Sequence, residues 1–189
     1  MKNKLIIGIT GTDGAGKGTV VDYLVREKGF THFSSRTLIV AEIEKRGLAV
    51  DRNQMRLMGN ELRAMFGDDV IVQKAFEQIR TEGVENAVIE SIRALAEANT
   101  LKARGALLLA VDADPKIRYE RVQGRRSASD KVSYEQFLAH EELEKNDHDP
   151  HGMQKAAVME MADYTIMNNR GFGELKTGIE SFLNTYEGK

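Results

Sequence analysis

The chain has 189 residues, a formal net charge of −2 and a charged fraction of 30%. Its length predicts one domain with a substantial core, and its balanced charge argues against stable binding to nucleic acid or membranes. Cysteine is absent, which excludes disulfides, a thiol nucleophile and cysteine metal ligands. With no signal-like leader and no apolar stretch long enough for a bilayer, we expect a cytoplasmic protein. It is expected to be a monomer or a homodimer.

A glycine-rich loop joins the first predicted strand, over residues 4–10, to a helix predicted over 17–28. Gly11 is followed by four residues and then by Gly16 and Lys17, which is the spacing of a phosphate-binding P-loop. Residues without a Cβ let the backbone curl around an anion, and the helix start adds a positive end. The lysine supplies a charge for the outer phosphates of ATP. The residues expected to bind ATP here are Gly11, Thr12, Asp13, Gly14, Ala15, Gly16, Lys17, Gly18 and Thr19.

The end of this loop departs from the strictest P-loop pattern. Gly18 stands where Ser or Thr usually follows the lysine, and Thr19 comes one residue later. We expect the Thr19 hydroxyl to lie near the Mg²⁺ of Mg-ATP. A glycine-rich turn without a ligand is the alternative, and it is disfavoured because strand, loop and helix occur in the required order.

Strands and helices alternate along the rest of the chain. Alternation predicts a parallel sheet with helices on both faces, that is, an α/β P-loop three-layer α/β/α sandwich with five strands. A helical region without a strand predicts a helical insert over 34–83, and a polar stretch predicts a lid over 125–152. The core then comprises 1–33, 84–124 and 153–189. The further predicted elements are a strand over 30–34, helices within 36–82, a strand over 86–90, a helix to about 103, a strand over 105–111, a helix from Pro115, a strand over 163–167 and an amphipathic terminal helix.

Two polar side chains follow the strand predicted over 86–90. Ligands bind at the carboxyl ends of parallel strands, so Glu90 and Arg93 are expected beside the P-loop. A carboxylate there can hold Mg²⁺ through water or orient an attacking hydroxyl group, and an arginine can bind a phosphate with its planar fork. In the alternative interpretation Glu90 caps the next helix and Arg93 is a solvated helix charge. The P-loop nearby favours the functional interpretation.

Arg118, Arg121 and Arg125 fall on one face of the helix that begins near Pro115. Clustered like charges repel unless an anion lies among them, and phosphoryl transfer spreads negative charge over the moving oxygens. We therefore expect this face to serve the transferred phosphoryl group, with a solvated basic face as the alternative. The His- and Asp-rich segment 147–151 has atoms that suit a metal, but a solvated turn is favoured.

The order of these parts resembles the nucleoside monophosphate kinase superfamily, which includes adenylate, thymidylate and dephospho-CoA kinases. The likeness covers most of the chain and is strongest to a largely archaeal adenylate-kinase-like family, also related to dephospho-CoA kinases. The stretches that carry it are Thr12–Lys17, Asn60–Arg63, Glu90–Arg93, Val111–Arg121 and Ala162–Asn168. The resemblance implies that Lys17, Arg93, Arg121 and Arg125 hold phosphates. It also implies that the insert over 34–83 binds the acceptor and that Asn168 and Gly171 contact ATP near the adenine.

The insert departs from the pattern of these kinases. They typically place Gly-Asp and then Arg after the second strand, whereas Thr37 and Val40 stand at the Asp and Arg positions here. The likeness to thymidylate kinases implies that Asp13 contacts an acceptor hydroxyl group, and bonding of the loop backbone is the alternative. The acceptor-binding candidates are Asp13, Arg36, Arg63 and Arg93.

These features together predict a P-loop kinase that moves the γ-phosphate of Mg-ATP to a small nucleotide acceptor. ATP and Mg²⁺ are the expected cofactors, with Lys17, Arg93, Arg121, Arg125 and Glu90 as the catalytic residues and Thr19 and Glu90 near the metal. A nucleoside monophosphate is preferred over dephospho-CoA as the acceptor. An acceptor-independent NTPase and a nucleotide-binding module without turnover are the alternatives.

Overall fold

The computed structural model of the protein describes residues 4–124, 132–145 and 151–186. Within these residues the strands are β1 (Leu5–Gly11), β2 (Thr31–Ser34), β3 (Asn86–Glu90), β4 (Leu107–Asp112) and β5 (Tyr164–Met167). The helices are α1 (Lys17–Lys28), α2 (Ser35–Lys45), α3 (Arg52–Phe66), α4 (Val70–Thr81), α5 (Leu95–Ala103), α6 (Pro115–Gly124), α7 (Tyr134–Lys145), α8 (Lys155–Glu160) and α9 (Phe172–Tyr186).

All five strands pair in parallel in one sheet, in the order β2-β3-β1-β4-β5. The central strand β1 pairs with β3 on one side and β4 on the other, so the loop after β1 emerges at the middle of the carboxyl edge. The last residue of β3, Glu90, lies opposite Ile9 of β1 and Ser34 of β2. The predicted α/β fold with a five-stranded parallel sheet is confirmed.

Each face of the sheet is covered by helices over its own hydrophobic core. On one face α1 and α9 pack on β1 and β4, with Leu24 and Phe182 fully buried among the strand residues. On the other face α4, α5 and α8 supply Phe76, Leu101 and Val158 to the second core. The strands are short apolar runs because both of their faces are buried, as in other parallel sheets. The three layers follow from this arrangement.

Helices α2, α3 and α4 form the predicted helical insert between β2 and β3. They share a small core of their own, which includes Ile43, Met58 and Ile71. Arg63 of α3 makes a buried ion pair with Glu97 of α5, with the arginine Nη2 3.0 Å from Glu97 Oε1. The insert is therefore fastened to the rest of the domain by a charged contact as well as by apolar packing.

Two helices were not predicted from the sequence. Helix α7 lies within the predicted lid, and its Tyr134 and Phe137 rings pack on Tyr119 of α6 at centroid distances of 5.3 and 5.7 Å. Helix α8 has only six residues, too few to show helical periodicity in the sequence. Among the helices of the described ranges, none is both long and apolar enough to cross a membrane.

Candidate functional site

The loop between β1 and α1 has the backbone shape that the glycine spacing predicts. Gly11, Gly14 and Gly16 all have positive φ, at 131°, 82° and 110°. A Cβ on Gly11 would lie 2.0 Å from the backbone oxygen of Val111, and one on Gly14 would lie 2.5 Å from that of Arg118. The loop therefore has to be built from glycine at these positions, because both the dihedral angles and the close backbone approach exclude a side chain.

The loop and the start of α1 present backbone N–H groups to solvent. Within the described part of the chain, no protein acceptor is found for the N–H groups of Gly14, Gly16, Lys17 and Gly18. Gly16 is the N-cap of the 12-residue helix α1 and provides no side-chain cap. A Cβ on Gly18 would meet nothing within 4 Å. These N–H groups lie in or next to the first turn of α1, where the helix dipole has its positive end, and together they form a candidate anion-binding cradle.

Lys17 stands at the end of this cradle and is turned back onto the loop. Its Nζ donates to Gly11 O at 2.9 Å and to Thr12 O at 2.7 Å, and it lies 3.6 Å from Asp13 Oδ1. Burial lowers the pKa of Lys17 to about 8, with Asp13 partly offsetting this effect. The ammonium group is thus desolvated and satisfied by protein carbonyls that a phosphate could replace.

Polar side chains at the carboxyl ends of β4 and β5 hydrogen-bond to the loop. Thr12 Oγ1 donates to Asp112 Oδ1 at 2.5 Å, and Asn168 Nδ2 donates to Ala15 O at 2.7 Å. Asn168 is 4% exposed, so the structure places it beneath the loop as a support. Its Oδ1 has no partner among the described residues. Gly171, the other residue expected near the adenine, lies with positive φ just before α9.

Glu90 lies opposite Ile9 of β1, two residues before the loop begins, and the charges of Glu90 and Arg93 both act on the pKa of Lys17. Glu90 Oε2 lies 3.1 Å from His32 Nε2 of β2, and this contact lowers the pKa of the Glu90 carboxyl group. Glu90 does not cap α5, because Glu97 Oε2 accepts the first N–H groups there, from Arg93 at 2.9 Å and Ala94 at 3.0 Å. The capping alternative for Glu90 is therefore wrong, and its carboxylate is left at the carboxyl edge of the sheet.

The arginine face of α6 divides between two roles. Arg121 reaches the P-loop, where its Nη1 donates to Gly14 O at 3.5 Å. Arg118 is 4% exposed and makes its contacts within the protein. Its Nε donates to Ala113 O at 2.8 Å, and its Nη1 forms an ion pair with Glu141 of α7. Arg118 thus joins the loop region to α7 as a buried structural group. Arg125 lies outside the described residues.

The acceptor-binding candidates are not brought together. Asp13 lies in the P-loop and Arg93 beside it, whereas Arg36 is exposed at the start of α2. Arg63 is 5% exposed and its Nε and Nη2 both donate to Glu97 Oε1, so its charge is already matched. The ion pair with Glu97 therefore explains why an arginine stands at position 63, with no need for a bound acceptor. The sequence pattern did not suggest this structural role.

Lys155 is a residue at this site that the sequence did not single out. It begins α8, its side chain is 7% exposed, and its Nζ lies 3.5 Å from Asp13 Oδ1. A lone lysine between a polar segment and a short helix carries no motif, so only the tertiary structure brings it to the P-loop. His32, which holds Glu90, was missed for the same reason.

The donor set suits a magnesium ion that is held mainly by phosphates and water. Glu90 offers a carboxylate at the site, and the exposed Thr19 lies in the first turn of α1. No cluster of three metal-binding side chains occurs within the described ranges. Mg²⁺ in nucleotide sites needs only one or two carboxylates beside the substrate phosphates, so these residues fit it.

The segment 147–151 is described only at its last residue. His151 Nδ1 lies 2.6 Å from Asp68 Oδ1, in the turn between α3 and α4. The remaining residues of the segment lie outside the described ranges, so the expectation of a solvated turn stays a prediction there. The contact links the end of the predicted lid to the insert.

Comparisons with known proteins agree with this geometry. A family model described as an AAA domain matches residues 7–160. The UPF0200 protein PH1008 of Pyrococcus horikoshii is 29% identical over 188 residues, covering 95% of this chain and 96% of that protein. The resemblance to an archaeal family of kinase-like P-loop proteins is thereby confirmed.

Solved structures share the fold across the whole chain. TT1252 from Thermus thermophilus superposes with a TM-score of 0.60 at 22% identity, covering 99% of this chain and all of that one. A shikimate kinase from Bacteroides thetaiotaomicron superposes with a TM-score of 0.62 at 14% identity, covering 97% and 98%. The architecture is that of P-loop kinases.

Proposed function

The chain belongs to the AAA domain family, and from this premise and its P-loop geometry we propose that it is an ATP-dependent phosphotransferase. The reaction is transfer of the γ-phosphate of Mg-ATP to a small nucleotide, as in nucleoside monophosphate kinases. One observation carries the proposal: Lys17 of α1 and Arg121 of α6 both contact the loop that forms the anion cradle, and Glu90 ends the strand beside β1. A protein that only bound nucleotide would need the cradle, but it would not need a carboxylate and further cations around it.

The residues divide the work of phosphoryl transfer. The N–H groups of the cradle hold the inner phosphates, and Lys17 turns from the loop carbonyls to the outer ones. Arg93 and Arg121 stabilise the charge that spreads over the moving phosphoryl group. A Mg²⁺ ion bound near Glu90 and Thr19 would neutralise phosphate oxygens.

Arg125 belongs to the proposal through the family resemblance and through its sequence spacing from Arg118 and Arg121. It would add a further cation from the lid, at a point where closure excludes water. Acceptor binding falls to Asp13, Arg93 and Arg36, since Arg63 is occupied by Glu97. A carboxylate together with arginines suits an acceptor that combines a hydroxyl group with a phosphate.

Release of ADP from Mg-ATP tests the proposal. The acceptors offered are ribonucleoside and deoxyribonucleoside monophosphates, dephospho-CoA, and shikimate, the last because a structural neighbour is a shikimate kinase. We expect one class of monophosphate to raise ADP release well above the acceptor-free rate. Lys17→Ala should remove this activity, and Lys74→Ala, at an exposed lysine of α4, should keep it.

The other outcomes separate the alternatives. Stimulation by dephospho-CoA alone would replace the monophosphate with that acceptor. ADP release that no acceptor raises would identify an NTPase and overturn transfer to these compounds. Binding of ATP without turnover under any condition would leave a nucleotide-binding module.

A further inference from the structure

Lys155 places a second buried ammonium group beside the P-loop. Its side chain is 7% exposed and its Nζ lies 3.5 Å from Asp13 Oδ1. The same oxygen lies 3.6 Å from Lys17 Nζ, so one carboxylate oxygen stands between two lysines. Burial of an ammonium group is unfavourable unless an anion compensates it, so the position of Lys155 is tied to that of Asp13.

The backbone next to Lys155 is fastened to the loop that carries Arg93. The Gln154 N–H donates to Arg93 O at 2.9 Å, and Gln154 Oε1 accepts the Leu95 N–H at 3.3 Å. The Arg93 Nη1 donates to the sulfur of Met153 at 3.6 Å. These contacts hold the start of α8 in place whether or not Lys17 moves.

Lys17 has competing tasks at this site. Its Nζ now donates to Gly11 O and Thr12 O, close to Asp13. Contact with nucleotide phosphates requires the ammonium group to leave these carbonyls, and Asp13 Oδ1 then loses one of the two lysine cations that lie within 3.6 Å of it. A carboxylate with less positive charge around it repels the incoming phosphates more strongly.

We propose that Lys155 is a positioning residue that holds and neutralises the Asp13 carboxylate while Lys17 engages the nucleotide phosphates. This inference rests on the proposed function in so far as the P-loop binds ATP. Lys155 acts through Asp13 and does not itself contact the phosphates. Its consequence is a fixed carboxylate oxygen on the acceptor side of the loop, available to an acceptor hydroxyl group.

A double-mutant cycle in nucleotide affinity tests the role of Lys155. The Kd for Mg-AMPPNP, an ATP analogue with an imido bridge, is measured by calorimetry for the wild type, Lys155→Met, Asp13→Asn and the double variant. We expect Lys155→Met to raise Kd at least about tenfold when Asp13 is present, equivalent to about 1.4 kcal/mol. In the Asp13→Asn background the same change should alter Kd by less than about threefold.

Two further variants control the cycle. Lys155→Arg keeps a cation and should bind AMPPNP within about threefold of the wild type. Lys74→Met makes the same substitution at an exposed lysine and should leave Kd unchanged. If Lys155→Met fails to fold, Lys155→Gln takes its place in the cycle with the same expected outcome.

Each outcome decides the inference. An equal rise of Kd in both backgrounds would mean that Lys155 contacts the phosphates directly and would overturn it. No rise in either background would overturn it as well, because a pair that stabilises free and bound protein equally leaves Kd unchanged. A wild-type protein that does not bind AMPPNP would refute the proposed function, whereas wild-type binding with additive variants would refute only the role of Lys155.

Discussion

Nucleotide binding to this protein should take up protons near pH 8, and Lys17 is the reason. Burial lowers the pKa of its ammonium group to about 8; the side chain donates to the carbonyls of Gly11 and Thr12, and the nearby Asp13 carboxylate only partly offsets the effect of burial. A triphosphate favours the charged lysine and raises its pKa on binding. The fraction of Lys17 that is neutral in the free protein must therefore be protonated when the complex forms.

The size of this uptake follows from the pKa. At pH 7 about 0.1 of the free Lys17 is neutral, at pH 8 about 0.5 and at pH 9 about 0.9. Bound Mg²⁺ favours the fully ionised phosphate of AMPPNP, and the Lys17→Met variant separates proton uptake by Lys17 from uptake by any other group. Because binding takes up a proton, the affinity for the nucleotide should fall as the pH rises above 8. The loss should approach tenfold per unit of pH.

Calorimetric titration with Mg-AMPPNP in buffers of different ionisation enthalpy measures the protons taken up at each pH. Lys17→Met should abolish the rise between pH 7 and 9, and Lys74→Met should preserve it. An uptake that stays flat across this range in the wild type would refute the reasoning. So would an uptake that survives in Lys17→Met, because another group would then be titrating.

The buried ion pair and the loop glycines give three further predictions. Arg63→Met should lower the free energy of unfolding in urea by about 3–5 kcal/mol, because Glu97 is 1% exposed and would keep an uncompensated charge; a loss below about 1 kcal/mol would contradict the buried pairing. Gly14→Ala should destabilise the fold and weaken AMPPNP binding, since its Cβ would meet Arg118 O at 2.5 Å with φ at 82°. Gly18→Ala should leave the melting temperature unchanged or raise it while weakening AMPPNP binding, because its Cβ would enter only the open space of the cradle. Equal affinities for Gly18→Ala and wild type would place the phosphates elsewhere.

Local patterns in the sequence were enough to predict most of the sheet. The strand over 86–90 and the helix over 17–28 agree with β3 and α1 in every residue, and Gly29 ends α1 with φ at 73° as a helix-terminating glycine should. The helix from Pro115 is confirmed together with its cap, because Asp114 Oδ1 accepts the Lys116 N–H at 2.9 Å. These features depend on residues within a few positions of one another, so the sequence displays them directly.

Partners distant in the chain were harder to predict. Arg118 and Arg121 share a helix face, yet one is buried against Ala113 and Glu141 while the other reaches Gly14. Arg63 was an acceptor candidate because it could replace the arginine that the family has at the position of Val40, but its partner in the fold is Glu97, 34 residues away. A charge pattern along one helix does not specify what packs against it.

The sequence by itself determined the P-loop, because the spacing of its glycines and lysine is contained in nine consecutive residues. It also determined that strands and helices alternate, and hence that the loop opens at the carboxyl edge of a parallel sheet. Only the tertiary structure decided which charges surround that loop. Lys155 comes to Asp13 from 142 positions along the chain (155 minus 13), through the docking of α8. Such an encounter is set by how the layers pack, which no local pattern records.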